Sequence, residues 1–150
     1  MSETSRGHIK RQQLTLGEEN MPIVLLYSPD MDFCMSLRLL FQDRYHMVTI
    51  TDPKMLLMTA REFKPDLVIV DSLPTEMMRR RFEMIKQENP GVRIMSFYAS
   101  QFHNKQVREY FRRSVDAAFS KPIDLREVIA SINELIFQGG DRYEQLHRHH

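Results

Sequence analysis

A single cysteine, Cys34, in a chain of 150 residues leaves no partner for an internal disulfide. It stands between Phe33 and Met35 with Leu37 close by and no histidine near, so it reads as a buried, unreactive thiol rather than a nucleophile. Long apolar runs are lacking as well. None approaches the length that spans a bilayer, and the polar N-terminus has no signal-peptide core, which points to a cytoplasmic protein with no membrane partner. Nor is there an excess of one charge: 21 Lys and Arg against 20 Asp and Glu give a net charge of +1. That balance offers nothing for nucleic acid, and the triplet Arg79-Arg80-Arg81 reads as a solvated helix face. The polar residues after Phe137 are too few to build a DNA-binding module.

What is present suits one soluble domain, with 42% hydrophobic and 27% charged residues. The organising stretch is Lys64-Pro65-Asp66-Leu67-Val68-Ile69-Val70-Asp71-Ser72-Leu73-Pro74. Its unbroken Leu-Val-Ile-Val run suits a strand covered on both faces, as in parallel sheets, and ligands of open α/β sheets sit at the carboxyl ends of such strands. Asp71 is therefore the first place to look for chemistry, although an aspartate can equally open a turn.

Along the chain, residues 1–20 are polar and read as a mobile tail. Ile23 to Tyr27 is a first buried strand, stopped by Ser28-Pro29-Asp30, and Asp30 or Asp32 caps a helix with Phe33, Leu37, Leu40 and Phe41 inward. His46 to Ile50 is the second strand. Asp52 caps a second helix with Pro53 at its first position, running to Phe63 with Met55, Leu56, Leu57 and Met58 as a methionine-rich core face. After the Asp71 strand, Thr75 to Glu88 is a third helix through Met78, Phe82 and Ile85, stopped by Asn89-Pro90-Gly91. Val92 to Phe97 is a strand weakened by Arg93 and Ser96. His103 to Arg113 is a fourth helix with Val107, Tyr110 and Phe111 inward, and Asp116 to Phe119 a fifth strand closed by Ser120-Lys121-Pro122. Asp124 to Phe137 is a closing helix carrying Leu125, Val128, Ile129, Ile132 and Ile136, terminated by Gly139-Gly140, and residues 139–150 form a polar tail. Five strands alternating with five helices over short loops predict an α/β fold with a five-stranded doubly wound parallel sheet, over residues 21–138.

Over roughly residues 22–137 the chain resembles the receiver domains of two-component response regulators, which have a flavodoxin-like fold of the chemotaxis-regulator type with strand order 2-1-3-4-5. The resemblance is carried by Lys64-Pro65-Asp66-Leu67-Val68-Ile69-Val70-Asp71, by Asn89-Pro90 and by Ser120-Lys121-Pro122, in that order. It implies that Asp71 is the phosphoacceptor position, taking its phosphoryl group from a histidine kinase, that Lys121 pairs with the phosphoryl group, and that the Lys121–Pro122 peptide is cis. Independently, a carboxylate ending strand three and an ammonium ending strand five converge on one edge of a parallel sheet, where lysine serves as a point charge. The same two residues also fit a plain structural ion pair.

Other family positions have departed. Where the resemblance implies an acidic pair for Mg2+ after strand one, this chain has Tyr27 and Ser28, or Ser28 and Pro29. Mg2+ wants hard oxygen ligands in near-octahedral array, and the replacement ligands on offer are Asp30 or Asp32, with Asp71 and the Leu73 carbonyl. The hydroxyl switch falls on Tyr98, too long for the same swing, and the rotameric aromatic of strand five falls on Ala118. These departures imply a degenerate receiver that acts in phosphorelay signalling by protein–protein interaction, with no enzyme activity beyond transfer to its own Asp71. Its partners would be a histidine kinase or another signalling protein, or a second copy, on helix four, strand five and helix five, where Lys105, Arg108, Arg112, Arg126 and Glu127 are the exposed candidates. The alternatives are a phosphorylation-competent single-domain regulator using Asp71 with Mg2+ and, more remotely, a flavin-binding flavodoxin, which the glycine-free loop Ser28-Pro29-Asp30-Met31-Asp32 disfavours.

Overall fold

The computed structural model of the protein describes residues 21–102 and 104–140, so the tail assigned to 1–20 and most of the C-terminal one lie outside the described residues. The elements are β1 (Ile23–Tyr27), α1 (Met31–Phe41), β2 (His46–Ile50), a 3-10 turn (Pro53–Met55) leading into α2 (Leu56–Phe63), β3 (Leu67–Asp71), α3 (Glu76–Glu88), β4 (Arg93–Ala99), α4 (Lys105–Ser114), β5 (Ala117–Lys121) and α5 (Leu125–Gly140). The five strands form one sheet in the order β2-β1-β3-β4-β5, and every adjacent pair is parallel. This is the doubly wound architecture expected from the alternation of elements, in the flavodoxin-like strand order that the resemblance implies.

Alternate strand residues supply two cores. Val24, Leu26, Leu67, Ile69, Met95 and Phe97 face α1 and α5, which contribute Cys34, Leu37, Phe41, Val128, Ile132 and Leu135. Leu25, Tyr27, Val68, Val70 and Ile94 face α2 and α3, which contribute Leu56, Ala60, Met78, Phe82 and Ile85. Ile23 to Leu26 and Leu67 to Val70 lie side by side and are buried throughout, which is why neither run shows polar alternation.

The helix starts are chemically marked. Asp30 caps α1 by accepting from the Phe33 N–H, Asp52 accepts from the Lys54 N–H, Thr75 from the Met78 N–H and Asn104 from the Val107 N–H. α2 ends with Lys64 at φ 48, a left-handed C-cap held by its N–H on the Ala60 carbonyl.

Several boundaries and faces differ from the sequence expectation. α1 begins two residues before Phe33, which turns Cys34, Leu37 and Phe41 inward and leaves Leu40 exposed. In α2 the core face is Leu56, Thr59 and Ala60, while Met55 and Met58 are exposed, so the methionines do not form the core there. β4 is longer than expected and not weakened: Ser96 is buried on a strand covered on both sides, and Tyr98 belongs to the strand. Leu125 is exposed rather than inward. Gly139 and Gly140 are the last residues of α5 instead of its terminator, since glycine weakens a helix by only about 1 kcal/mol against alanine.

Candidate functional site

Sheet register brings the site together at the carboxyl edge. β1 and β3 pair with Tyr27 opposite Val70, so the next residues, Ser28 and Asp71, lie side by side on the α1/α5 face. The Ser28 hydroxyl donates to Asp71 Oδ2 at 2.8 Å and accepts from the Asp30 N–H at 3.1 Å. Lys121 lies on β5, two strands from Asp71, a distance of roughly 10 Å at ordinary strand spacing. β5 extends beyond the Asp71–Phe97–Phe119 row, and the long lysine side chain leans back across the end of β4 to put Nζ 2.7 Å from Asp71 Oδ1. Asp71 is buried, Ser28 is fully buried, and the Lys121 side chain is 44% exposed. Each carboxylate oxygen of Asp71 thus has its own donor, one charged and one neutral. The Lys121–Pro122 peptide is cis.

The carboxylate opens on a cleft of about 400 Å3 walled by Tyr27, Pro29, Pro53, Leu73, Met78 and Arg81 among others. Burial, followed by the neighbouring Asp71 charge, raises the Tyr27 phenol above its ordinary range. The Cys34 thiol is pushed up mainly by burial and points its sulfur at the Ser28 carbonyl 3.7 Å away, in keeping with an unreactive cysteine.

The other residues singled out in the sequence do not converge on Asp71. Asp30 spends its Oδ1 on the Phe33 N–H, and Asp32 is an exposed residue of the first turn of α1. Leu73 is 54% exposed, and its carbonyl accepts from the Ser72 hydroxyl at 3.1 Å and the Thr75 N–H at 2.9 Å. Tyr98 is buried, its ring 4.7 Å from that of Phe111 on α4 and tilted by 31°. Ala118 lies on the same sheet face, two positions from Tyr98's partner Ser120.

Mg2+ demands several hard oxygens in near-octahedral array. Among the described residues no group of three His, Cys, Asp or Glu side chains is placed to hold a metal ion. Asp71 accepts on both oxygens, Asp30 caps a helix and the Leu73 carbonyl accepts within its own loop.

Two contributors were missed by sequence reasoning. Ser28 stands where the resemblance implies an acid, and its hydroxyl bond to Asp71 follows from the shared register of β1 and β3, which the sequence reading did not use. Arg81, which as sequence reads as part of a solvated triplet, is half-buried and lines the cleft. Its position three residues after Met78 puts it at the margin of the inward stripe of α3.

No known sequence family and no curated protein matches the chain. Solved structures do. The receiver domain of the Francisella response regulator 1452 superposes with a TM-score of 0.67 at 18% identity, over 78% of this chain and 98% of that one. The fold is that of a receiver domain. The receiver domain of a protein assigned as a Luxo repressor from Vibrio parahaemolyticus matches at 0.69 and 17% identity, over 84% and 96% of the two chains. The N-terminal domain of the nisin resistance regulator NsrR, a lantibiotic response regulator, matches at 0.65 and 18% identity, over 77% and 97%. Within the receiver fold, Asp71, Lys121 and the cleft occupy the carboxyl edge of the sheet, where ligands of open α/β sheets bind. Among the described residues no helix is long and apolar enough to cross a membrane.

Proposed function

We propose that this chain is a degenerate receiver module of two-component signalling, one whose Asp71 site is held closed and whose output is protein–protein interaction. The observation that carries this reading is the Ser28–Asp71–Lys121 arrangement. A serine stands where receivers carry an acid, and it donates to the oxygen of Asp71 that Lys121 does not hold. Phosphoryl transfer is mostly positioning plus neutralisation of charge on the transferring group, in which metal ions take a large share. Here the acceptor carboxylate is already neutralised and the donor set for the metal is missing. Tyr98, its ring packed on Phe111, carries a phenol too long for the short swing of a small hydroxyl. The partners of this reading are a histidine kinase or another signalling protein, or a second copy, met through α4, β5 and α5.

Acetyl phosphate with Mg2+ should leave the intact mass unchanged while an ordinary receiver gains a phosphoryl group. Beryllofluoride with Mg2+ should leave the amide resonances of Asp71 and Tyr98 in place. Saturable Mg2+-dependent shifts, abolished by Asp71→Asn, would overturn the closed-site reading; their loss on Asp30→Ala would identify Asp30 as a metal ligand. The phosphorylation-competent alternative draws its support from the cleft that opens beside Asp71 and from the Lys121 contact, both of which a working acceptor also needs. A flavin-binding reading gains nothing from the loop after β1, where Ser28 and Asp30 are turned to Asp71 and to helix capping.

A further inference from the structure

The cleft beside Asp71 has the wrong sign for a cation. Of the residues that line it, Asp71 is the one acid, and Arg81 and Lys121 are both basic. Asp71 is compensated by Lys121 and Ser28. The nearby acids Asp30 and Asp52 point their carboxylates at the N–H groups of Phe33 and Lys54, as helix caps. Arg81, by contrast, makes no ion pair among the described residues, although it is half-buried and close enough to Tyr27 to act on its phenol. Its neighbours in the triplet differ: Arg79 is paired with Glu76 and Glu83, and Arg80 is exposed.

We propose that this cleft binds a small phosphate-bearing molecule non-covalently, with Arg81 as the principal phosphate ligand and Lys121 as the second charge. A guanidinium presents a planar fork of donors that matches two phosphate oxygens, and a half-buried one is worth more than one in bulk water. Lys121 has three donors and spends one on Asp71, leaving its exposed side for the anion. The apolar wall of Pro29, Pro53, Leu73 and Met78 suits an organic body attached to the phosphate, and about 400 Å3 is within the range of small-molecule sites. The inference rests on the closed-site reading: the position that would accept a phosphoryl group covalently becomes a sensor for a phosphorylated ligand.

The test uses the full chain, isotope-labelled, in Mg2+-free buffer with chelator, titrated separately with inorganic phosphate and with phenyl phosphate. Both should give saturable amide shifts at Ser72, Arg81 and Ala99, weaker at high chloride, and phenyl phosphate should bind more tightly because it also uses the apolar wall. Arg81→Gln should weaken binding about tenfold, the loss expected for a charge-assisted hydrogen bond. Arg81→Lys should fall between the two, and Arg80→Gln should bind as the parent does. Absence of saturable shifts, or equal affinity in Arg81→Gln, would overturn the proposal. Intact mass after acetyl phosphate treatment separates the two failures. A gained phosphoryl group sinks the closed site on which this inference rests, whereas an unchanged mass with no phosphate-induced shifts sinks the anion site alone.

Discussion

Asp71 is a buried acid at a strand end whose two oxygens are answered by unequal partners, and the inequality makes their contributions separable. Lys121→Met would leave a carboxylate with a side-chain exposure of 7% facing only a neutral hydroxyl. Breaking a pair on one side costs more than its net worth, so a loss of about 2 kcal/mol in denaturant unfolding is expected, tempered by the exposed lysine end. Ser28→Ala should cost about 1 kcal/mol, because Oδ2 loses its donor and the Asp30 N–H loses its acceptor. In the double variant Asp71→Asn, Lys121→Met the costs should not add, since the charge left stranded in the single variant is gone; strict additivity would mean that the contact contributes nothing. Asp71 was legible as sequence because it ends an apolar run before a loop, and Lys121 because Ser120-Lys121-Pro122 closes the fifth strand as the resemblance implies. Ser28 and Arg81 were not, because a hydroxyl bond across two strands and a cation at the margin of a helix stripe depend on register and packing that periodicity does not encode.

At the scale of elements, the five strands and five helices were readable because burial on both faces leaves continuous apolar runs, and because Asp30, Asp52 and Thr75 mark helix starts; α4, read from His103, is instead capped by Asn104. Helix faces were less readable where an apolar residue stands on the outside, as Leu40, Met58 and Leu125 do. α4 shows what such readings miss. Tyr110, expected to point inward, lies in a groove between α3 and α4 and donates its hydroxyl to the Thr75 carbonyl at 2.5 Å, tying α4 to the N-cap of α3. Burial first, and then the Glu76 charge, push its phenol up to about 12. The folded pKa exceeds the unfolded value near 10, so the folded state holds the proton more tightly and the contribution of Tyr110 is complete below pH 10. It should be lost as the pH rises from 10 toward 12. Unfolding free energies measured across that window should fall, with a shallower slope in Tyr110→Phe; an identical slope in the variant would assign the effect to other groups, Tyr27 and Tyr45 being the candidates also raised by burial.

For the whole molecule, the surface open to a partner under the proposed reading is set by what the helices leave uncovered. Both core faces of the sheet are covered by helices, and β5 forms one margin of the sheet with its residues only partly buried, flanked by α4 and α5. α4 carries Lys105, Arg108, Arg112 and Arg113 against the single acid Glu109, and Arg126 and Glu127 stand exposed at the start of α5. Arg112 is held within its own helix by Glu109 at 3.2 Å, with the arginine 75% exposed, a pair worth little in water. A basic, rigid margin of this kind favours an acidic partner surface, and rim charges act mainly on association rate and salt dependence. Reversing Arg108 and Arg112 to Glu should therefore leave unfolding within about 0.5 kcal/mol of the parent, since both are surface positions free of core contacts. The same change should weaken complex formation with an acidic partner, and weaken self-association in sedimentation velocity if the partner is a second copy, with the larger loss at low salt. Equal sedimentation and equal partner affinity across these reversals would move the interface off α4, β5 and α5, and the exposed apolar residues of α1, Met31, Met35 and Leu39, would become the next surface to test.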